Sequence, residues 1–200
     1  MWAGLDLESE IDRFERWTGV RAALGGRHPG EGTWNALLRL GPATYLELIA
    51  PDPTQPRPSH PRWLGLHALT EPRLVTWAAR STALDGQAAA ARAAGIPLGE
   101  VRSGRRELAD GRVLSWRLTY PDLAEGDGLV PFLIDWGDSP HPARTAPGAI
   151  RLAELHGEHP APAAIGERLA RLGLGLRIVA APLPALIAAL DTPRGRIELR

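Results

Sequence analysis

The chain has 200 residues, 44% of them hydrophobic and 23% charged, which is enough for one large domain or two small ones with a substantial core. Its 23 basic residues balance its 23 acidic residues, so the composition indicates neither a nucleic acid nor an anionic membrane as partner. The lack of cysteine excludes disulfide bonds and thiolate catalysis. The sequence shows no apolar run of the ~20 residues that a membrane span needs and no signal-peptide pattern at its start, so we expect a cytoplasmic protein.

Apolar residues at helical spacing, an early acidic cluster and a closing glycine predict an amphipathic helix over residues 7–20. Residues 25–30, rich in glycine and ending near a histidine, are predicted as a turn. The other elements are predicted from period-2 apolar patterns, Ala-rich segments and turn residues. In chain order they are strands at 34–40 and 43–49, a short helix at 63–69, a strand at 74–80, a helix at 84–94, strands at 99–108, 112–120, 129–136 and 150–155, a helix at 163–172, and strands at 176–181, 186–190 and 196–199.

This order repeats a β-α-β-β-β unit three times along the chain, which predicts an α+β fold built from βαβββ modules. The second and third copies open with the predicted strands at 74–80 and 150–155. Only Trp2–Gly4 precede the helix of the first copy, so its opening strand is either very short or missing.

Three apolar strands each carry one carboxylate, and these acids are the first site candidates. They are Glu47, Asp135 and Glu198. An ionised carboxylate inside a buried strand is costly unless it is paired, hydrogen-bonded or bound to a metal. Glu47 and Asp135 are therefore candidate catalytic residues, and all three acids are candidate metal ligands. The alternative for Glu47 is a structural carboxylate paired with Arg39 or Arg117.

Four further residues are candidates for binding a substrate. His28 follows two glycines that permit close backbone approach, and Asn35, if buried, must be hydrogen-bonded, either to brace this loop or to contact a ligand. Trp136 adjoins Asp135 and either forms an aromatic wall or packs in the core. His141 follows the same strand and lies either over the mouth of a cleft or on the surface.

An ordered set of short motifs resembles the vicinal oxygen chelate superfamily, in its glyoxalase-like branch (glyoxalase, bleomycin resistance and dioxygenase proteins). The motifs are Asp6-Leu7 leading into Ile11-x-x-Phe14 and Gly19-Val20, His28-Pro-Gly, Gly32-Thr33-x-Asn35, Tyr45-Leu-Glu47-Leu-Ile-Ala-Pro51, Pro131-Phe-Leu-Ile-Asp135-Trp136 and Thr192-Pro193-x-Gly195-x-Ile197-Glu198-Leu199.

The resemblance implies that modules pair into a curved, incompletely closed mixed β-barrel with flanking helices around a cleft. Residues 1–148 are then a glyoxalase-like domain of two modules, and residues 149–200 a third module. An odd number of modules leaves a sheet edge unmatched, and proteins normally cover such edges. We therefore expect a homodimer.

Related enzymes hold a divalent metal with a histidine and an acid from each module, but the aligned histidine positions here hold Thr76 and Leu152. We expect a protein that binds or transforms a small oxygenated molecule in the cleft, as a lyase, isomerase or dioxygenase type of enzyme, with Mn²⁺, Mg²⁺, Zn²⁺ or Ni²⁺ or with no metal. The alternatives are metal-free sequestration of a hydrophobic compound, as in bleomycin resistance, and an interaction module without a ligand.

Overall fold

The computed structural model describes residues 1–58, 63–107, 111, 113–120 and 126–200. Within these ranges the chain forms three α-helices and thirteen strands. In chain order they are β1 (Trp2–Ala3), α1 (Leu7–Thr18), β2 (Ala23–His28), β3 (Thr33–Gly41), β4 (Thr44–Pro51), β5 (Arg73–Leu74), β6 (Ala78–Arg80), α2 (Leu84–Ala93), β7 (Val101–Glu107), β8 (Val113–Thr119), β9 (Phe132–Asp135), β10 (Arg151–His159), α3 (Pro162–Arg171), β11 (Arg177–Ala180), β12 (Ala185–Thr192) and β13 (Gly195–Leu199). None of the helices in these ranges is long and apolar enough to cross a membrane.

The larger sheet has nine strands and contains two equivalent modules. Its order is β5-β1-β4-β3-β2-β7-β8-β9-β6. In each module the opening strand runs parallel to the last one, as β1 does beside β4 and β6 beside β9. The modules meet where β2 pairs with β7. The predicted α+β fold with repeated βαβββ modules is confirmed.

The connection between the modules shows that this sheet is strongly curved. Strands β5 and β6 lie at its opposite ends, yet only residues 75–77 join them. The four steps from Leu74 to Ala78 span at most about 14 Å when fully extended. The two ends of the sheet therefore lie close together, which gives the predicted incompletely closed barrel.

A separate sheet of four strands, ordered β11-β10-β12-β13, contains the C-terminal part of the chain. Its elements follow the predicted β-α-β-β-β order, but the pairing differs, because β10 lies between β11 and β12 instead of beside the last strand. The division into domains at residues 148 and 149 stays a prediction. The homodimer also stays a prediction, with β11 and β13 as the outer strands of this sheet.

Helix α1 packs on one face of β3 and β4 and leaves the opposite face of these strands for the site. Asp6 caps the helix by accepting the backbone N–H of Ser9, and Gly19 ends it with φ of 78°. Leu7, Ile11 and Phe14 of the helix are fully or almost fully buried in one core with alternate residues of β3 and β4 and with side chains of the four-stranded sheet. Side chains alternate along a strand, so the intervening residues of β3 and β4 point away from α1.

Two predicted elements differ from the observed ones, and a third, predicted as very short or missing, is the very short one. Residues 25–30 are not simply a turn, because Ala23–His28 form β2 with a register shift against β3. The strand predicted at 74–80 is two short strands, β5 and β6, at opposite ends of the sheet. The opening strand of the first module is present and only two residues long.

Candidate functional site

A cavity of about 250 Å³ lies beside β3 and β4, lined by Asn35 and Glu47 from the face opposite α1 and by Leu40 and Leu46 from the face that α1 covers. Its walls are mostly apolar, with aromatic rings from β8 and β9 and aliphatic side chains that extend to the four-stranded sheet. The polar side chains that line it within the described ranges include Asn35, Tyr45, Glu47, Arg80, Arg106 and His141. A few polar groups in an apolar concavity are typical of a small-molecule site.

Glu47 is held in this cavity by Asn35. The carboxylate lies on β4 and is 9% exposed. Its Oε1 accepts a 2.6 Å hydrogen bond from Asn35 Nδ2, which reaches across from β3. Neither Arg39 nor Arg117 pairs with Glu47, since Arg117 binds Asp85 instead. Glu47 is thus a hydrogen-bonded carboxylate in apolar surroundings.

The amide of Asn35 connects three ionisable side chains. Its Nδ2 also contacts His28 Nε2 at 3.3 Å, and its Oδ1 accepts a 3.1 Å hydrogen bond from Arg106 Nη1. The Asn35 amide therefore donates to Glu47, contacts the ring nitrogen of His28 and accepts from Arg106. The side chain of Asn35 is 3% exposed, so water cannot replace these partners easily.

His28 is buried and its protonation state follows from its two partners. An amide nitrogen can only donate, so the contact with Asn35 requires that Nε2 of His28 accept. The proton then resides on Nδ1, which contacts Thr33 Oγ1 at 2.9 Å. Burial lowers the pKa of His28 below its usual 6.5, with the charge of Arg106 acting in the same direction and that of Glu47 opposing it. The neutral tautomer is the one that this network stabilises.

The pKa of His28 predicts how stability depends on pH. Because its pKa is lowered, His28 binds fewer protons in the native state than in the unfolded state. Its contribution to the free energy of unfolding is therefore fully present above pH 6.5 and decreases as the pH falls below that value. The loss is at most about 1.4 kcal/mol per pH unit for one group. Urea unfolding at pH 7.5 and at pH 5.5 measures it, and we expect His28→Gln to lose less stability between these values than the wild type.

The other titratable groups are the same in the wild type and in His28→Gln, so their contribution to the pH dependence of stability cancels in that comparison. His141 is among them, since burial and Arg80 lower its pKa as well. An identical pH dependence in the wild type and His28→Gln would contradict the assignment of a neutral, buried His28.

Arg106 is the buried cation of the site. It lies on β7, is 4% exposed and lines the cavity. Its guanidinium and the amide of Asn35 occupy the space beside Gly25, where an added Cβ would lie 2.4 Å from Arg106 Nη1 and 2.2 Å from Asn35 Oδ1. Among the described residues, the Nε of Arg106 has no hydrogen-bond partner.

Two further donors face the cavity from its aromatic side. Burial and the charge of Glu47 raise the pKa of Tyr45, so its phenol stays protonated. The ring of Tyr45 lies 5.4 Å from that of His141, centroid to centroid. His141 Nδ1 accepts the backbone N–H of Ala143, which leaves the proton of the neutral ring on Nε2. Trp136 packs between His141 and Trp116 and completes this wall.

The structure brings part of the predicted set together. Asn35, Glu47, Trp136 and His141 line the cavity, and His28 lies behind Asn35 in contact with the same amide. Their roles in binding or catalysis stay predictions.

The other two predicted acids lie elsewhere. Ile134 and Trp136 line the cavity, so the alternation along β9 turns Asp135 to the other face, where its Oδ1 accepts the N–H of Gly137. On β13, Leu199 lines the cavity while Glu198 is exposed. The structure does not join Glu47, Asp135 and Glu198 in one cluster.

The donor set around the cavity does not fit a divalent metal. Such a metal takes several carboxylate, imidazole or carbonyl ligands. Across the described ranges no group of three histidine or acidic side chains could hold a metal ion. Glu47 shares the cavity with two guanidinium groups instead, Arg80 from β6, the opening strand of the second module, and Arg106 from β7. These cations would repel a metal at this position.

Sequence reasoning missed Arg106, Tyr45 and the role of Gly25. Tyr45 carried a usable signal, because it lies two residues from Glu47 in the same strand and so shares its face. Arg106 carried none, since its neighbour Arg105 has the same chemistry and is exposed.

The paired modules and the polar groups within an apolar cavity define a glyoxalase-like protein. A family model described as a glyoxalase-like domain matches residues 1–173, so the chain belongs to this family. The predicted resemblance to the glyoxalase-like branch is thereby confirmed. No curated protein matches the chain.

A solved structure supports the fold. A hypothetical protein from Staphylococcus aureus has 13% sequence identity and a TM-score of 0.68 over 92% of this chain and 86% of its own. A methylmalonyl-CoA epimerase in complex with methylmalonyl-CoA and ammonium has 18% identity and a TM-score of 0.47 over 70% of this chain and 94% of its own. The methylmalonyl-CoA epimerase from Mycobacterium tuberculosis has 18% identity and a TM-score of 0.40 over 68% and 84%.

Proposed function

We propose that the protein binds a small oxygenated molecule in the cavity and that Glu47 accepts a proton from it without the help of a metal. The observation that carries this proposal is the placement of one hydrogen-bonded carboxylate, 9% exposed, against mostly apolar walls. Asn35 holds Oε1, while Oε2 has no hydrogen-bond partner within the described ranges. A positioned carboxylate with one free oxygen is suited to general base catalysis.

The groups around Glu47 suit removal of a proton next to a carbonyl group. In that step the C–H bond breaks, its proton moves to Glu47, and its electron pair forms an enolate whose charge resides on the carbonyl oxygen. The protonated phenol of Tyr45 and the Nε2–H of His141 are donors that would stabilise such an oxyanion. Reactions of this type belong to isomerases and lyases.

Sequestration without chemistry is the second candidate. It is favoured by the aromatic wall, in which the ring centroids of Trp116 and Trp136 lie 5.3 Å apart. Aromatic and aliphatic walls bind apolar ligands through buried area alone. The two candidates differ in whether the bound molecule is changed.

Proton exchange separates these candidates. We expect the wild type, incubated in D₂O with a panel of small 2-oxo acids, keto esters and their amides, to replace the proton next to the carbonyl group by deuterium, as followed by NMR. Glu47→Gln should retain binding and lose about 10²- to 10⁴-fold in the exchange rate, the usual contribution of a general base. Its fold should be as stable as the wild type or more so, because the amide oxygen can still accept from Asn35 and the buried carboxylate charge is removed.

Each result assigns one function. Binding of panel members without exchange in the wild type would support sequestration, and equal exchange rates in the wild type and Glu47→Gln would contradict the role of Glu47. An Asp135→Asn variant is the matched control, because Asp135 lies on the other face of the sheet and its replacement should leave the exchange rate unchanged.

A further inference from the structure

We infer that the ligand of the cavity carries a negatively charged group, such as a carboxylate, and that Arg106 binds this group. This inference rests on the proposed function and names its class of ligand. The ligand is then a small organic anion with an apolar or aromatic body.

One edge of the Arg106 guanidinium is free to bind a ligand. Nη1 donates to Asn35 Oδ1, which uses one side of the planar group. The other side, formed by Nε and Nη2, is the edge that binds carboxylates with two parallel hydrogen bonds. Nε has no partner among the described residues although the side chain is 96% buried. A buried donor without a partner costs free energy, which a bound anion would recover.

The charge of Glu47 does not satisfy this cation. Asn35 separates the two groups, since its Nδ2 binds Glu47 at 2.6 Å and its Oδ1 binds Arg106 at 3.1 Å. Burial lowers the pKa of Arg106 below its usual value, and the opposing effect of Glu47 does not restore it. The interior thus holds a cation that is only partly compensated, and a ligand anion supplies the missing partner.

A second cation points to the same ligand class. Arg80 lines the same cavity and is exposed, so it can meet a ligand that enters from solvent. Together with Arg106 it gives the lining two guanidinium groups against the one carboxylate of Glu47. An excess of one sign of charge along a cleft attracts ligands of the other sign. The remaining walls, with Trp116 and Trp136, suit an apolar or aromatic body beside the anionic group.

Matched pairs of acids and amides test the inference. The probes are phenylacetate, benzoate and isovalerate, each with its neutral amide, titrated by calorimetry and by quenching of tryptophan fluorescence. We expect the wild type to bind the anions more tightly than the amides. Arg106→Met should weaken binding of the anions roughly 10- to 150-fold and leave binding of the amides nearly unchanged, because a hydrogen-bonded charge contributes in this range.

Two variants make the result specific. Arg105→Met removes a guanidinium from the adjacent, exposed position of β7 and should behave as the wild type. Arg106→Lys keeps the charge without the two-pronged geometry, so it should still prefer the anions, with reduced affinity, even if Arg106→Met does not fold.

The outcomes separate the inference from the proposed function. Equal affinities of the wild type for an acid and its amide, or an equal loss in Arg105→Met and Arg106→Met, would overturn the inference and leave the proposed function standing. Binding of no probe in either form would overturn both.

Discussion

Replacing Asn35 by leucine should lower the free energy of unfolding by about 3–5 kcal/mol, the cost of leaving buried charged groups without their partners. Leucine has the same branching and the same number of side-chain heavy atoms as asparagine, so it fills the site in a similar shape. Its side chain can neither donate to Glu47 and His28 nor accept from Arg106. Urea or thermal unfolding at pH 7.5 measures the loss.

The same substitution in the Glu47→Gln variant identifies the cause of this loss. In Glu47→Gln the group beside residue 35 is neutral, so its burial without a partner costs less. We expect Asn35→Leu to cost about 1–3 kcal/mol less in that background, the usual range for one buried polar group, because His28 and Arg106 still lose their partner. The difference between the two backgrounds is the coupling energy between residues 35 and 47. Equal losses in both would show that Asn35 contributes through packing and not through the carboxylate.

The position of Glu47 was predictable because a strand has only two faces. Helix α1 is strongly amphipathic and must cover one face of β3 and β4, and the apolar residues of those strands that alternate with Asn35 and Glu47 supply that face. The remaining face then holds Asn35, Tyr45 and Glu47. A single acid in an apolar strand thus predicts a site residue when it is considered together with the residues two positions away, which share its face.

The same rule shows why the set of three acids did not form one site. Asp135 follows Ile134 in β9, and adjacent residues of a regular strand point to opposite faces of the sheet. Ile134 occupies the cavity face. Glu198 and Leu199 divide in the same way on β13. The apolar surroundings of an acid in the sequence therefore do not show which face of the strand it occupies.

The fold was more predictable than the site because it depends on repeated patterns. The order of helices and strands follows from local periodicity and was largely correct. The pairing of β10 between β11 and β12 depends on long-range contacts that no local pattern records. Arg106 reaches Asn35 from 71 residues away, across the junction of β2 and β7, and this junction is likewise a long-range property.

Strand β2 was missed because its glycines indicate a turn, yet these glycines serve the site. The register against β3 shifts between Leu24 and Gly26, so Gly25 is the extra residue of a β-bulge. Bulges occur often beside functional sites, where they change the direction of nearby side chains. Here the bulge places a residue without Cβ against the Asn35 amide and the Arg106 guanidinium.

Gly25→Ala should therefore displace the polar centre of the cavity. The new Cβ would lie 2.2 Å from Asn35 Oδ1 and 2.4 Å from Arg106 Nη1, and both atoms would have to move, which breaks the hydrogen bond between them. We expect a loss of about 3 kcal/mol in the free energy of unfolding, from overpacking together with the lost bond to a charged group. The preference for anionic over neutral ligands should decrease with it.

Gly41→Ala is the matched control for this substitution. Gly41 ends β3 beside another register shift, but a Cβ there meets only the Thr44 side chain at 3.7 Å, an ordinary contact. We expect its stability to stay within about 0.5 kcal/mol of the wild type, as for most surface substitutions. Calorimetric titration with phenylacetate and phenylacetamide completes the test. If Gly25→Ala keeps the anion preference of the wild type, this prediction is wrong. Arg106 then binds the charge equally well after its guanidinium has moved.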